Sequence, residues 1–353
     1  MSRVMLVDWL GRGGIAQCSA EWTAELRAAG AEVRVVTRSG RELAATSGED
    51  AVTADGGNAL VAHRNLVRAA VETLHEWQPD VVVVQNYVLA ALELPLHRAV
   101  ARSGARGVVV VHDHRLHSRL AGSGAGLGAI LRGASSVVAH SEFVAGDLRR
   151  RRGRTDVDVI AHPVQRATVG ASPQRPDGPR HPLAVHFGVV KRHYKGTGTV
   201  LRLAAEGVPG WRFAVMGNGA PESAPGAECL PGFVESSALV RRLRDARAAL
   251  LPYTMATQSG SVVLAQALGV VPVATAVGGI PEQIEDGVNG RLLPPRAGVD
   301  DWRRVLGELR DDGVAAALGA EAQRRAWRRH AEFAAAVRAL CGVAGAAPLA
   351  IAS

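Results

Sequence analysis

The stretch "VMLVDWLGRGGIAQCSAEWTAEL", residues 4–26, decides the fold. Val4–Val7 is continuously apolar, the pattern of a strand covered on both faces. A glycine-rich turn follows. Beyond it Ile15, Cys18, Trp22 and Leu26 fall on one helical stripe. Strand, turn and helix in that order are the opening of a βαβ unit.

The same pattern recurs downstream. Glu32–Thr37, Val81–Val84, Val108–His112 and Ser136–Ala139 read as further strands, with amphipathic stretches between them. Such alternation implies a parallel, doubly wound sheet. It breaks at "RATVGASPQRPDGPRHP", where Pro, Gly and polar residues imply a linker over 166–182. A second set begins at Leu183–Phe187 and continues with Trp211–Met216, Ala249–Pro252 and Val271–Thr275. The expected organisation is an N-terminal Rossmann-like domain over 1–165 and a C-terminal one over 183–325. A terminal helix, about 326–353, is expected either to pack back on the first domain or to fray. Ligands of open parallel sheets bind beyond the carboxyl ends of strands, so the loops there are where chemistry is expected.

Composition narrows the partners. The chain has 353 residues and a formal charge of +8. Lys191 and Lys195 are its only lysines, so nearly all of its cations are arginines. The charge fits nucleotide phosphates, nucleic acid or a membrane face. Most of it reads as solvated helix surface, and no aromatic interleaving supports a nucleic-acid groove. Cys18, Cys229 and Cys341 form no ligand pair or disulfide framework, which fits a reducing compartment. No apolar run is long enough to span a membrane, and no cleavage pattern follows the first strand. A soluble, cytoplasmic protein is expected.

Several loops carry candidate chemistry. Gly13 and Gly14 precede the first helix, where backbone N–H groups and the helix N-terminus favour an anion, or simply make a turn. His112 ends a strand and is followed by Arg115, Arg119, His114 and His117. A metal cluster there lacks a second ligand half elsewhere. His112 touching a polar substrate is the better functional reading, beside a purely structural one. "FGVVKRHYKG", residues 187–196, joins a strand to a helix starting at Thr197 or Gly198. Arg192 and Lys195 in this loop can hold a diphosphate, one as a planar fork and one as a point charge. Gly217 and Gly219 of "MGNG" allow close backbone approach. In "PYTMATQSGSVVLAQALG", Ser259 is an N-cap candidate ahead of Gly260. Gln258 and Gln266 there are separated by seven residues. "TDVDVI" holds Asp156 and Asp158, but on an alternating, strand-like run and not in a metal-binding loop.

Taken together, these loops resemble the retaining family-4 glycosyltransferases of the GT-B fold. "PVATAVGGIPEQIEDGVNGRLLPP" is similar to the family's Pro-Val-Val-Ala-Thr, Gly-Gly, glutamate and Asp-Gly-x-x-Gly-x-Leu pattern, with Glu282 as the glutamate. "FGVVKRHYKG" is similar to Phe-Gly-x-x-Arg-x-Tyr-Lys-Gly. The resemblance implies two Rossmann-like domains facing a central cleft, with Arg192 and Lys195 on the donor diphosphate. It also implies His112 on the donor sugar and Gly13, Gly14, Gly217 and Gly219 beside the donor. One departure stands out. The family's two glutamates, seven residues apart, are replaced by Gln258 and Gln266. Anchoring the register on Gly269 instead puts Leu264 in the second glutamate's place.

The implied activity is transfer of a sugar from a nucleotide-diphosphate sugar to an acceptor hydroxyl, with retention and without a metal or other cofactor. A small-molecule or glycoconjugate acceptor is expected, no nucleic-acid partner, and peripheral membrane contact stays open. The alternatives are a nucleotide-sugar epimerase of the same fold and a catalytically decayed nucleotide-sugar-binding protein. A dinucleotide dehydrogenase fits less well, because "GRGGIAQ" lacks the full Gly-x-Gly-x-x-Gly.

Overall fold

The computed structural model describes residues 2–113, 123–173, 180–190 and 193–343. Within them the chain divides into two compact units: residues 2–162 with 331–343, and Pro163–His330.

The first unit holds a parallel seven-stranded sheet in the order β3-β2-β1-β4-β5-β6-β7. Its strands are β1 (Arg3–Asp8), β2 (Glu32–Arg38), β3 (Ala51–Ala54), β4 (Val81–Gln85), β5 (Arg106–Val111), β6 (Ser136–Ala139) and β7 (Val157–Val159). Both faces are covered, as the continuous apolar runs require. Val4 and Leu6 of β1 pack into one core with Trp22, Leu26, Phe333 and Val337. Met5 and Val7, one residue out of phase, pack into the opposite core with Leu66, Leu74 and Trp77. The helix Gly13–Ala28 buries Cys18, Trp22 and Leu26 of its stripe completely. Truncating Trp22 to Ala would cost roughly 3–5 kcal/mol.

The second unit holds a parallel six-stranded sheet in the order β10-β9-β8-β11-β12-β13. Its strands are β8 (His181–Phe187), β9 (Arg212–Gly217), β10 (Ala227–Pro231), β11 (Ala246–Leu251), β12 (Val271–Thr275) and β13 (Arg291–Leu293). Ala184 of β8 faces one core and Leu183, Val185 and Phe187 the other. Residues 166–182 begin with a helical turn, Arg166–Val169, whose Val169 is buried, and end inside β8.

The last helix, Asp312–Leu340, is 29 residues long. Trp327 lies in a core of the second unit, while Phe333 and Val337 lie in a core of the first. Arg338 forms a mostly buried ion pair with Glu25 at 3.0 Å. No helix among the described residues is long and apolar enough to cross a membrane.

Candidate active site

In the second sheet, β8 and β11 are neighbours, although β9 and β10 lie between them in the chain. The strand order reverses there, and ligands of such sheets bind in the crevice beyond the carboxyl ends at this point. The loops after β8 and β11 meet at that place. The Thr254 backbone N–H donates to the Tyr194 carbonyl at 2.9 Å. Lys195 Nζ donates to the Tyr253 hydroxyl at 2.9 Å and stands 4.0 Å from the centre of its ring. Gly196 makes this approach possible: its φ is +68°, and any Cβ would collide with the Pro252 carbonyl. Tyr253 is itself almost fully buried, and Thr275 donates a hydrogen bond to its carbonyl.

Beneath the loop lies His186, on β8. Its Nδ1 donates to the Leu250 carbonyl at 2.8 Å, and its Nε2 is 3.0 Å from Thr197 Oγ1. Burial, with the Lys195 charge adding to it, lowers the His186 pKa to about 4. A neutral imidazole therefore lies on the strand that leads into the Lys195 loop. Arg192, the other expected diphosphate contact, lies outside the described residues, as does Lys191.

Gly217 ends β9 with φ +119°, and a Cβ there would collide with the Gly188 carbonyl, so only glycine lets the two loops pack. Gly219 also lies in the positive-φ region, at +92°. Ser259 caps the helix Gly260–Ala267, its side chain accepting from the Val262 N–H. Gln258, just before it, is half-buried.

Gln266, the other glutamine expected at the donor, lies in the last turn of the same helix. It is buried, and its Nε2 donates to the Gln283 carbonyl at 2.9 Å. The Gln283 side chain in turn grips the helix cap. Its Oε1 accepts from the Ser259 N–H at 2.8 Å, and its Nε2 donates to the Ser259 carbonyl at 3.2 Å. Glu282, next in the chain, is half-buried, and its carbonyl accepts from Arg329. The two glutamines at the ends of "QSGSVVLAQ" thus differ in setting: Gln258 is half-buried, and Gln266 is buried and bonded to Gln283.

In the first sheet the order reverses between β1 and β4. Asp8, at the end of β1, accepts from the Leu10 and Gly11 N–H groups at 2.9 Å each and from Ser19 Oγ at 2.8 Å. Burial raises its pKa, and those hydrogen bonds work against the rise. Gly11 is required by packing, since a Cβ there would strike Thr37. Gly13 and Gly14 have open space at their Cβ positions. The Gly13 N–H donates to Glu42 Oε2 at 3.1 Å, so a carboxylate already stands at this helix N-terminus.

His112 directly follows β5. Its Nε2 is 3.1 Å from Gln85 Oε1, the last residue of β4. The His140 ring, just beyond β6, lies 4.6 Å away centre to centre. Burial holds the His112 pKa well below its usual range, and His140 and His162 add to the effect. His114, Arg115, His117 and Arg119 lie outside the described residues. Asp158 lies within β7, and Asp156 pairs with Arg154 at 2.9 Å.

Tyr253, Gln283, His186 and His140 were not singled out in the sequence. Tyr253 stands in a quoted motif, but nothing in one sequence pairs residue 253 with residue 195.

Residues 12–167 match the family model described as Glycosyltransferase Family 4, and residues 181–312 the model described as Glycosyl transferases group 1. Among solved structures, the chain is similar to HepE of Anabaena in complex with UDP-glucose. That match has a TM-score of 0.71 and 16% identity over 97% of this chain and 98% of that one. It is similar to sucrose-phosphate synthase from Thermosynechococcus elongatus, with a TM-score of 0.74 and 17% identity over 97% and 98% of the chains. A glycosyltransferase from Rickettsia africae aligns with a TM-score of 0.75 and 13% identity over 96% and 97%. No curated protein matches the chain. Two parallel-sheet units with these matches define the class: the chain is a glycosyltransferase of the GT-B fold.

Proposed function

We propose that the chain transfers a sugar from a nucleotide-diphosphate donor to an acceptor hydroxyl, with retention at the anomeric carbon, as a member of the family-4 group. The observation that carries this reading is the Lys195 ammonium, set by Tyr253 beyond the β8 and β11 strand ends. Crystals of HepE with UDP-glucose and with UDP lend it support.

In this reading the donor diphosphate lies against Lys195 and Arg192, with Gly217 and Gly219 admitting close backbone approach. Gln258, Ser259 and Gly260 border the donor, as does Glu282. His112 meets the donor sugar, and Gly13 and Gly14 lie beside it. Gln266 acts from behind, through Gln283, to hold Ser259 and the helix cap. The sugar C1–O bond breaks with its electron pair passing to the diphosphate. The acceptor oxygen bonds C1 on the same face, and its proton passes to the departing phosphate oxygen. Fixed cations stabilise the charge that develops there, an effect worth ~3–4 kcal/mol for one well-placed donor. The transfer step uses no divalent ion, the cations taking that role.

A second reading follows from the two glutamines: neither family glutamate position holds a carboxylate. A protein that binds nucleotide sugar without transferring it would have this feature. The test is a thermal-shift screen of nucleotide sugars, followed by product analysis with an acceptor panel. A stabilising donor that yields glycosylated acceptor supports transfer. Donor-only interconversion indicates an epimerase, and binding without turnover indicates the decayed protein.

A further inference from the structure

Among the described residues, Cys18, His112 and His140 form one buried cluster in which a Sγ and two ring nitrogens all lie within 4.8 Å of one another. They come from three elements: the helix Gly13–Ala28 and the residues just beyond β5 and β6. No two are neighbours in the chain, so the ligand half missing around His112 in the sequence is supplied by folding.

The atoms are arranged for a metal. His140 Nδ1 lies 2.8 Å from the Ile160 carbonyl. A carbonyl only accepts, so Nδ1 carries the proton and the Nε2 lone pair is free to ligate. That lone pair faces Cys18 Sγ at 3.6 Å. Tetrahedral zinc, with Zn–S of about 2.3 Å and Zn–N of about 2.0–2.1 Å, separates a sulfur and a nitrogen ligand by about 3.5 Å. His112 is oriented by Gln85, 3.1 Å from its Nε2. A carbonyl or amide oxygen behind each ring is the usual support of a zinc histidine.

We propose that Cys18, His140 and His112 form a binding site for a divalent zinc-class cation, these three supplying its protein ligands among the described residues. Binding converts the Cys18 thiol to a thiolate and releases its proton to solvent. The proposal stands on the first unit alone and does not depend on the transferase reading. Where that reading also holds, a bound ion withdraws His112 from the sugar, so zinc inhibits transfer.

The test uses cobalt(II) as a spectroscopic probe on the reduced, metal-free full chain. One equivalent of cobalt is expected to give a near-ultraviolet thiolate-to-metal charge-transfer band that zinc abolishes. Cys18→Ser should eliminate the band, and His140→Gln should weaken binding by at least about tenfold, while Cys229→Ser leaves it intact. Gln85→Ala, which removes the oxygen beside His112 Nε2, should weaken binding by about tenfold. Melting curves of each variant establish that it is folded. Absence of a stoichiometric band in the wild-type protein overturns the proposal whatever the variants do, and so does a band that survives in folded Cys18→Ser.

Discussion

Lys195 Nζ lies 2.9 Å from the Tyr253 hydroxyl and 4.0 Å from the centre of its ring, so one side chain fixes the ammonium by two means. The two can be separated. Tyr253→Phe removes the hydrogen bond and keeps the ring, a loss of about 1 kcal/mol in holding Lys195. The donor KM should rise about fivefold with little change in melting temperature. Tyr253→Ala also opens a cavity and should lower stability by roughly 3–5 kcal/mol. Steady-state kinetics and melting curves on both variants check this. Equal stability in the two would show that the ring is not packed as described.

Two glycines should respond in opposite ways to alanine. Gly217 has φ +119° and no room for a Cβ, whereas the Cβ position of Gly14 is open. Gly217→Ala combines backbone strain with a steric clash and should cost about 2–3 kcal/mol or more. Gly14→Ala lies in a helix and should be neutral or stabilising by about 0.5–1 kcal/mol. Urea denaturation measures both.

Acid should destabilise the protein before its carboxylates titrate. Burial lowers the pKa of both His186 and His97 to about 4, from an ordinary 6.5. Both groups are neutral in the folded state, and the unfolded chain takes up their protons first. Their contribution is therefore complete above pH 6.5 and declines as pH falls from there toward 4. Each group changes stability by up to about 1.4 kcal/mol per pH unit within that window. Urea midpoints measured from pH 7.5 to 4.5 should fall steadily, and His186→Gln should flatten the slope. A flat profile between pH 6.5 and 5 would contradict the neutral burial of these rings.

Gln283 should matter more than its lack of charge implies. Its side chain satisfies both the N–H and the carbonyl of Ser259. Gln283→Ala leaves the buried Ser259 N–H unpaired, a cost of about 1–3 kcal/mol, while the Ser259 carbonyl keeps the Val262 and Val263 N–H groups. Ser259→Ala removes only the cap, about 1 kcal/mol. The expected order in melting temperature is wild type, Ser259→Ala, then Gln283→Ala.

Where the sequence was informative, it was so for a physical reason. Runs such as Val81–Val84 and Val108–Val111 are buried on both faces, so every residue reports the strand. β3, β10 and β13 were missed, and β7 was legible only as a strand-like run. All four are edge strands with a single neighbour. Their residues are largely half-exposed or exposed, as in Ala227–Pro231, where none is buried, and the apolar signal fades. The glycine and lysine loops were legible because their chemistry is local. The roles of Tyr253, Gln283 and the Cys18–His140 pair were not, because each depends on a partner brought close only by the sheet. Gln266 shows the converse. Its spacing from Gln258 matches a motif, yet its amide serves the Gln283 carbonyl inside the fold.

The central claim is that Lys195 stabilises a departing nucleoside diphosphate. The most direct measurement is nucleotide-diphosphate binding and sugar turnover in Lys195→Ala, compared with wild type at equal folded fraction. The account predicts an intact melting transition, weaker diphosphate binding and a turnover loss of about 10²–10³-fold. Unchanged turnover in the folded variant would contradict it.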